Sequence, residues 1–150
     1  MSDTTVKSGG CQCGRVRFLA KLESDEAYWC HCKMCQKATG GIAAAFVEIP
    51  HEALQWLSEP DWYASSPIAR RPFCSQCGTP LGFFWKDGQG SIDLTVGSFD
   101  DPSGFRPVAH AGSESINEAW LDTRALPRQF SATTESVARR WKAAGHEVPE

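Results

Sequence analysis

The spacing of seven cysteines limits what this chain can fold into more than any other feature of its sequence. They fall as Cys11-x-Cys13, Cys30-x-Cys32-x-x-Cys35 and Cys74-x-x-Cys77. An odd count, with sulfurs one or two residues apart, does not suit a disulfide framework and points to metal ligation in a reducing compartment. Soft divalent ions accept thiolates, and a structural Zn²⁺ takes four of them at the corners of a tetrahedron. A catalytic zinc keeps three protein ligands and leaves one position for water or a substrate atom. Seven thiols divide naturally into four plus three.

Cys11 and Cys13 with Cys74 and Cys77 make the complete set, two zinc knuckles flanked by Gly9-Gly10, Gly14 and Gly78. A metal shared between such distant halves closes a long loop whose entropy would otherwise oppose order. Cys30, Cys32 and Cys35 then remain with no obvious fourth ligand. Two readings are open. The second zinc is of catalytic type, with these three cysteines at the catalytic centre, or it is structural and completed by His31, His51 or His110. His31 sits between two ligands, where its ring is not expected to reach the same metal; a place beside the ligands or facing substrate is open to it, and simple surface exposure is expected ahead of that.

Hydrophobic residues at 41% and charged residues at 22% are ordinary for one soluble globular domain of 150 residues. A net charge of -3 carries no polyanion-binding signature, so nucleic acid is not an expected partner. No apolar run approaches the ~20 residues that a membrane span needs, so no membrane partner is expected. The start, Met1-Ser2-Asp3-Thr4-Thr5, does not read as a signal peptide, and the expected location is cytoplasmic.

Periodicity predicts a mainly β fold with short helices. Arg15–Ala20 alternates as a half-buried strand, Ala27–Trp29 leads as a strand into the central cysteines, and Lys33–Thr39 is helical until Gly40-Gly41. Ile42–Ile49 reads as a strand, Pro50–Leu57 as a brief helix, and Trp62-Tyr63 with Ile68–Phe73 as a hairpin. Leu81–Trp85 and Ser91–Val96 flank Asp87-Gly88 as the clearest hairpin, with Ile92, Leu94 and Val96 on one face. Val108–Ala111 is a further strand, and Ser136–Ala144 a helix stopped by Gly145. The expected organisation is a disordered tail over 1–8, a zinc-binding domain over 9–130 and a helical extension over 131–150.

In order along the chain come Gly10-Cys11-x-Cys13-Gly14-x-Val16-Arg17-Phe18, Cys30-His31-Cys32-x-x-Cys35-x-Lys37-x-x-Gly40 and Phe73-Cys74-x-x-Cys77-Gly78-Thr79-x-Leu81. Val96-Gly97-Ser98-Phe99-Asp100-x-Pro102 and a segment around Trp120 follow. In combination, from Gly9 to Phe130, these motifs resemble the glutathione-dependent formaldehyde-activating enzyme family, which includes centromere protein V. The resemblance implies a complex fold of several coiled β-sheets, and two zinc ions per chain. One is structural, on Cys11, Cys13, Cys74 and Cys77; the other is of catalytic type, on Cys30, Cys32 and Cys35. It implies carbon-sulfur lyase chemistry on S-hydroxymethylglutathione, with a small thiol such as glutathione and a small aldehyde as partners. It also places the segments that carry Trp29, Phe46, Phe99 and Trp120 near the second metal; the alternative is that these four are plain core residues. The competing expectation is a non-catalytic, zinc-stabilised binding module whose second zinc is structural or vestigial.

Overall fold

Strand-length alternation of apolar residues dominates the described part of the chain, residues 4–149 of a computed structural model, and the outcome is a mainly β fold. In chain order the elements are β1 (Thr5–Gly10), β2 (Arg17–Leu22), β3 (Glu26–Cys30), helix α1 (Lys33–Thr39), β4 (Ala44–Ile49) and β5 (Leu54–Trp56). They continue with β6 (Asp61–Ala64), β7 (Ala69–Phe73), β8 (Gly82–Trp85), β9 (Ile92–Thr95), β10 (Arg106–Ala111) and helix α2 (Glu135–Ala143). Two sheets result, a three-stranded one ordered β1-β2-β5 and a seven-stranded one ordered β10-β3-β4-β9-β8-β7-β6. Every neighbouring pair is antiparallel except β10 with β3, which is parallel.

The seven-stranded sheet has two unlike faces, and its register says why. Val47 lies opposite Leu94 and Ile49 opposite Ile92, and these residues join Phe84, Leu81 and Phe18 in the main core. Burying each such side chain contributes roughly 1.5–3 kcal/mol. Residues one step along each strand must face the other way. Tyr28 lies opposite Phe46, Cys30 opposite Ala44, Phe46 opposite Thr95, and Phe83 opposite Asp93. Ala69 lies opposite Trp85, which puts Arg71, two residues on, on that same face. The second face therefore carries a thiol, a phenol, a carboxylate and a guanidinium among aromatic rings. Helix α1 covers it, with Cys35 as its buried residue.

Two expectations are corrected. Thr5–Ser8, expected in a disordered tail, belong to β1, with Thr5 opposite Leu22 and Ser8 opposite Leu19. An edge strand is held by backbone hydrogen bonds, so its polar side chains gave no hydrophobic signal. Met1–Asp3 of that tail lie outside the described residues. The helix expected over Pro50–Leu57 is a single 3₁₀ turn at His51–Ala53, after which Leu54–Trp56 extends as β5. Pairing decides this: Trp56 lies opposite Phe18, and the two rings meet edge-on at 5.8 Å.

The chain divides into two compact units, one ending at Asn117 and one beginning at Glu118, whereas the sequence had suggested a boundary at 130/131. The second unit contains α2, on the segment read as helical from Val137 and Trp141.

Candidate metal centres and their pocket

The turn between β1 and β2 presents Cys11 and Cys13, and the turn between β7 and β8 presents Cys74 and Cys77. Backbone hydrogen bonds close each knuckle. The Cys11 N–H donates to Val16 at 3.0 Å, and the Gly78 N–H to the Cys74 carbonyl at 2.7 Å. Gly78 adopts φ +81°, a left-handed turn conformation that side chains disfavour. The four sulfurs lie within 4.8 Å of one another, with Cys11 to Cys13 at 3.5 Å and Cys13 to Cys74 at 3.8 Å. A tetrahedron with zinc–sulfur bonds of about 2.3 Å has edges of about 3.8 Å, so the donor set fits zinc in both chemistry and size.

Electrostatics around the four sulfurs agree with that fit. The Arg15 Nε–H donates to Cys74 Sγ at 3.4 Å, and Arg15 is itself paired with Asp61, which also accepts the Ser75 N–H at 2.7 Å. Hydrogen bonds from the Thr79 hydroxyl and from backbone hold the Cys77 thiol down at about 5. The backbone N–H of Arg15 lowers Cys13, but the Cys11 thiol, desolvation and the thiols of Cys77 and Cys74 together push it up to about 11. Sulfurs this close do not all ionise without a cation among them.

The second group is Cys30, Cys32 and Cys35, again within 4.8 Å of one another. Cys30 ends β3. Cys32 caps α1, accepting the Cys35 N–H at 3.3 Å, and Cys35 lies in the helix's first turn, 4% exposed. The left-handed Gly40, φ +74°, ends this short helix by donating its N–H to Gln36. Burial pushes Cys30 up to about 12 and raises Cys35 despite a hydrogen bond from Arg71. Burial acts on Cys32 too, but there the backbone N–H groups of Cys35 and Met34 and the neighbouring thiols prevail and lower it.

No histidine joins this group among the described residues. His31, expected on the surface, is 1% exposed; its Nε2 lies 2.8 Å from His110 Nδ1, and its backbone N–H donates to Ala111 at 2.9 Å. The parallel β3–β10 pairing puts His110 within its reach. His51 packs on Phe84, a ring of the main core.

The three sulfurs line a pocket of about 290 Å³. Its apolar wall includes Phe46, Phe83, Trp85 and Ile68, and its polar groups include Tyr28, Asp93 and Arg71. Arg71 is 3% exposed; one terminal N–H donates to Cys35 Sγ at 3.4 Å, and its cation lies 5.1 Å from the centre of the Phe83 ring. Its Nε has no hydrogen-bond partner among the described residues. The Tyr28 hydroxyl donates to Asp93 Oδ1 at 2.8 Å. Burial pushes the Asp93 carboxyl up to about 6 in spite of that hydrogen bond, and the nearby charge of Glu48 adds to the rise.

The model of the glutathione-dependent formaldehyde-activating enzyme family matches residues 6–115. The chain belongs to that family. An uncharacterised lyase of Schizosaccharomyces pombe is 31% identical over 81 residues, which are 54% of this chain and 59% of that protein. The chain thus spans under two thirds of this relative's length. A crystal structure of a Rhodobacter sphaeroides protein matches with a TM-score of 0.55 at 20% identity, covering 69% of this chain and 99% of the other, a likeness of fold.

Within the formaldehyde-activating family match lie all seven cysteines and every residue of the pocket. Of the four aromatics expected at the second metal, Phe46 lines the pocket. Trp29 alternates with Tyr28 and Cys30 and so faces the other side of the sheet. Phe99 belongs to the main core, 5.2 Å from the Phe18 ring and 4.8 Å from that of Phe105. Trp120 is 64% exposed. Tyr28, Arg71 and Asp93 went unnoticed in the sequence. The available cue was a charge at the second position of β9, between Ile92 and Leu94.

Proposed function

We propose that this chain is a zinc-dependent carbon-sulfur lyase acting in the cytoplasm on adducts of a small thiol, such as glutathione, with a small aldehyde. The observation that carries this reading is a set of three thiols, not four, lining a largely apolar pocket that also holds a carboxyl and a guanidinium. In this reading the four-thiol set holds a structural zinc, and Cys30, Cys32 and Cys35 hold the second ion at the catalytic centre. When bound there, zinc supplies Lewis acidity and lowers the pKa of a neighbouring thiol, of which only a few per cent is ionised at neutral pH. The chain's own groups do the rest. Arg71 offsets charge at Cys35, and the aromatic wall excludes water, which strengthens each polar contact made by the reacting atoms. The carbon-sulfur bond forms or breaks between a thiolate and an aldehyde carbon, and the developing alkoxide takes a proton.

Exchange-transfer NMR of glutathione, formaldehyde and S-hydroxymethylglutathione tests the activity. Zinc-loaded protein is expected to speed the interconversion, and Cys32→Ser to return it to the uncatalysed rate. Equal rates for the two proteins would favour the non-catalytic binding module.

Two metals of unequal lability are also expected. Native mass spectrometry during chelator titration should show one zinc leaving well before the other, since only the second site lacks a fourth protein sulfur. Joint loss with unfolding would contradict an open second site.

A further inference from the structure

The reaction needs one proton to move, and the pocket contains one carboxyl placed to carry it. A thiol must lose its proton before its sulfur attacks, and the adduct's oxygen must gain one afterwards. Asp93 lines the same pocket as the three cysteine sulfurs and is 7% exposed overall. It projects from β9 onto the face that bears Tyr28, Cys30 and Phe46, and it lies opposite Phe83 in register. Tyr28 anchors one carboxylate oxygen from two residues before Cys30, its hydroxyl donating to Asp93 Oδ1 at 2.8 Å. A buried carboxyl held by a single tyrosine and facing a thiol cluster carries a desolvation cost that an apolar residue packed there would avoid.

We propose that Asp93 carries a single proton from the incoming thiol to the oxygen of the adduct, with Tyr28 as the residue that positions its carboxyl. This rests on the reading of the pocket as a thiol–aldehyde adduct site. In the direction of synthesis the thiol S–H bond breaks and its proton passes to the Asp93 carboxylate. The thiolate sulfur then forms a bond to the aldehyde carbon, the carbonyl π pair moves to oxygen, and that oxygen takes the proton back from Asp93. Cleavage is the reverse: Asp93 removes the hydroxyl proton, the carbonyl re-forms, and the sulfur leaves with the carbon–sulfur pair. The proton that began on sulfur ends on oxygen, and nothing is oxidised or reduced.

Charge balance supports this route. Three cysteine thiolates with a divalent ion carry one net negative charge, which the Arg71 guanidinium beside Cys35 offsets. An incoming thiolate adds a new negative charge to a pocket of low dielectric, where Glu48, opposite Asp93 in β4, already disfavours ionisation. Arg71 and the Tyr28 hydrogen bond act the other way and keep the carboxyl ionised until the thiol arrives. A group titrating near 6 is a carboxylate at neutral pH in the free protein and accepts a proton when like charge enters.

The proposal predicts how many protons reach solvent when a thiol binds. Calorimetry of glutathione binding to the zinc-loaded protein at pH 7, repeated in buffers of different ionisation enthalpy, reads that number. Wild-type protein is expected to release close to none, because Asp93 keeps the thiol proton. Asp93→Asn retains an acceptor for Tyr28 but not the proton site, and is expected to release about one. Tyr28→Phe keeps the carboxyl but loses the hydrogen bond that holds it ionised, and is expected to release a number between those of wild type and Asp93→Asn. Release of about one proton by wild-type protein, or equal release by wild type and Asp93→Asn, overturns the role of Asp93 alone. Absence of glutathione binding to wild type overturns the adduct-site reading and the proton route with it.

Discussion

Cys74→Ser is expected to lower the melting temperature of the zinc-loaded protein by more than about 10 °C, and Cys32→Ser by less than about 3 °C. Cys74 is wholly buried and belongs to the main core together with Cys11. Its cluster ties the β1–β2 turn to the β7–β8 turn across 61 residues, and Arg15, Asp61 and Ser75 are organised around it. An ion bound by the folded state and not by the unfolded chain adds its binding free energy to stability, so losing one ligand subtracts from folding directly. Cys32 differs in kind. It caps α1, and a serine hydroxyl in its place still accepts the Cys35 N–H, serine being among the best residues at such a cap. Thermal melts of the two variants, each with its zinc content measured, check the contrast. Equally large losses would show that both zinc ions hold the fold together.

Much of this was legible in the sequence, and the illegible part has a common cause. Thiol spacing is local, so Cys11-x-Cys13 and Cys74-x-x-Cys77 could be paired without a structure, and the β8–β9 hairpin announced itself through Asp87-Gly88 and alternation. The same alternation, followed one step further, places Asp93 opposite the core face. What it could not provide is which strands stand beside β9. Tyr28, Phe83 and Arg71 reach Asp93's face only through the order β3-β4-β9-β8-β7, a product of long-range pairing. His31, expected on the surface, is buried for the same reason, since its companion His110 lies 79 positions away. For Phe99 and Trp120 a place at the metal stood against plain core packing: Phe99 fills the core, and Trp120 does neither, being largely exposed. Segment β1 escaped notice because backbone pairing, not side-chain burial, holds it.

Replacing Arg71 by methionine should separate stability from metal binding. A buried guanidinium with an unpartnered Nε is a costly thing to fold around, and an apolar side chain of similar length against Phe83 removes that cost. No stranded charge is left behind in the metal-free protein. Burial already raises Cys35, and loss of Arg71 raises it further, so the thiol simply keeps its proton. That proton then competes with the metal. Arg71→Met is therefore expected to melt within about 2 °C of wild type, or above it, while zinc affinity at the three-thiol site falls by about 10- to 100-fold, the usual effect of losing a hydrogen-bond partner of a ligand. The deficit should shrink as pH rises, because the competing proton leaves. Competition with a chromogenic chelator at several pH values, alongside thermal melts, measures both quantities. A large loss of stability with unchanged zinc affinity would make Arg71 a prop of the β7–β8 pair rather than a tuner of the metal site.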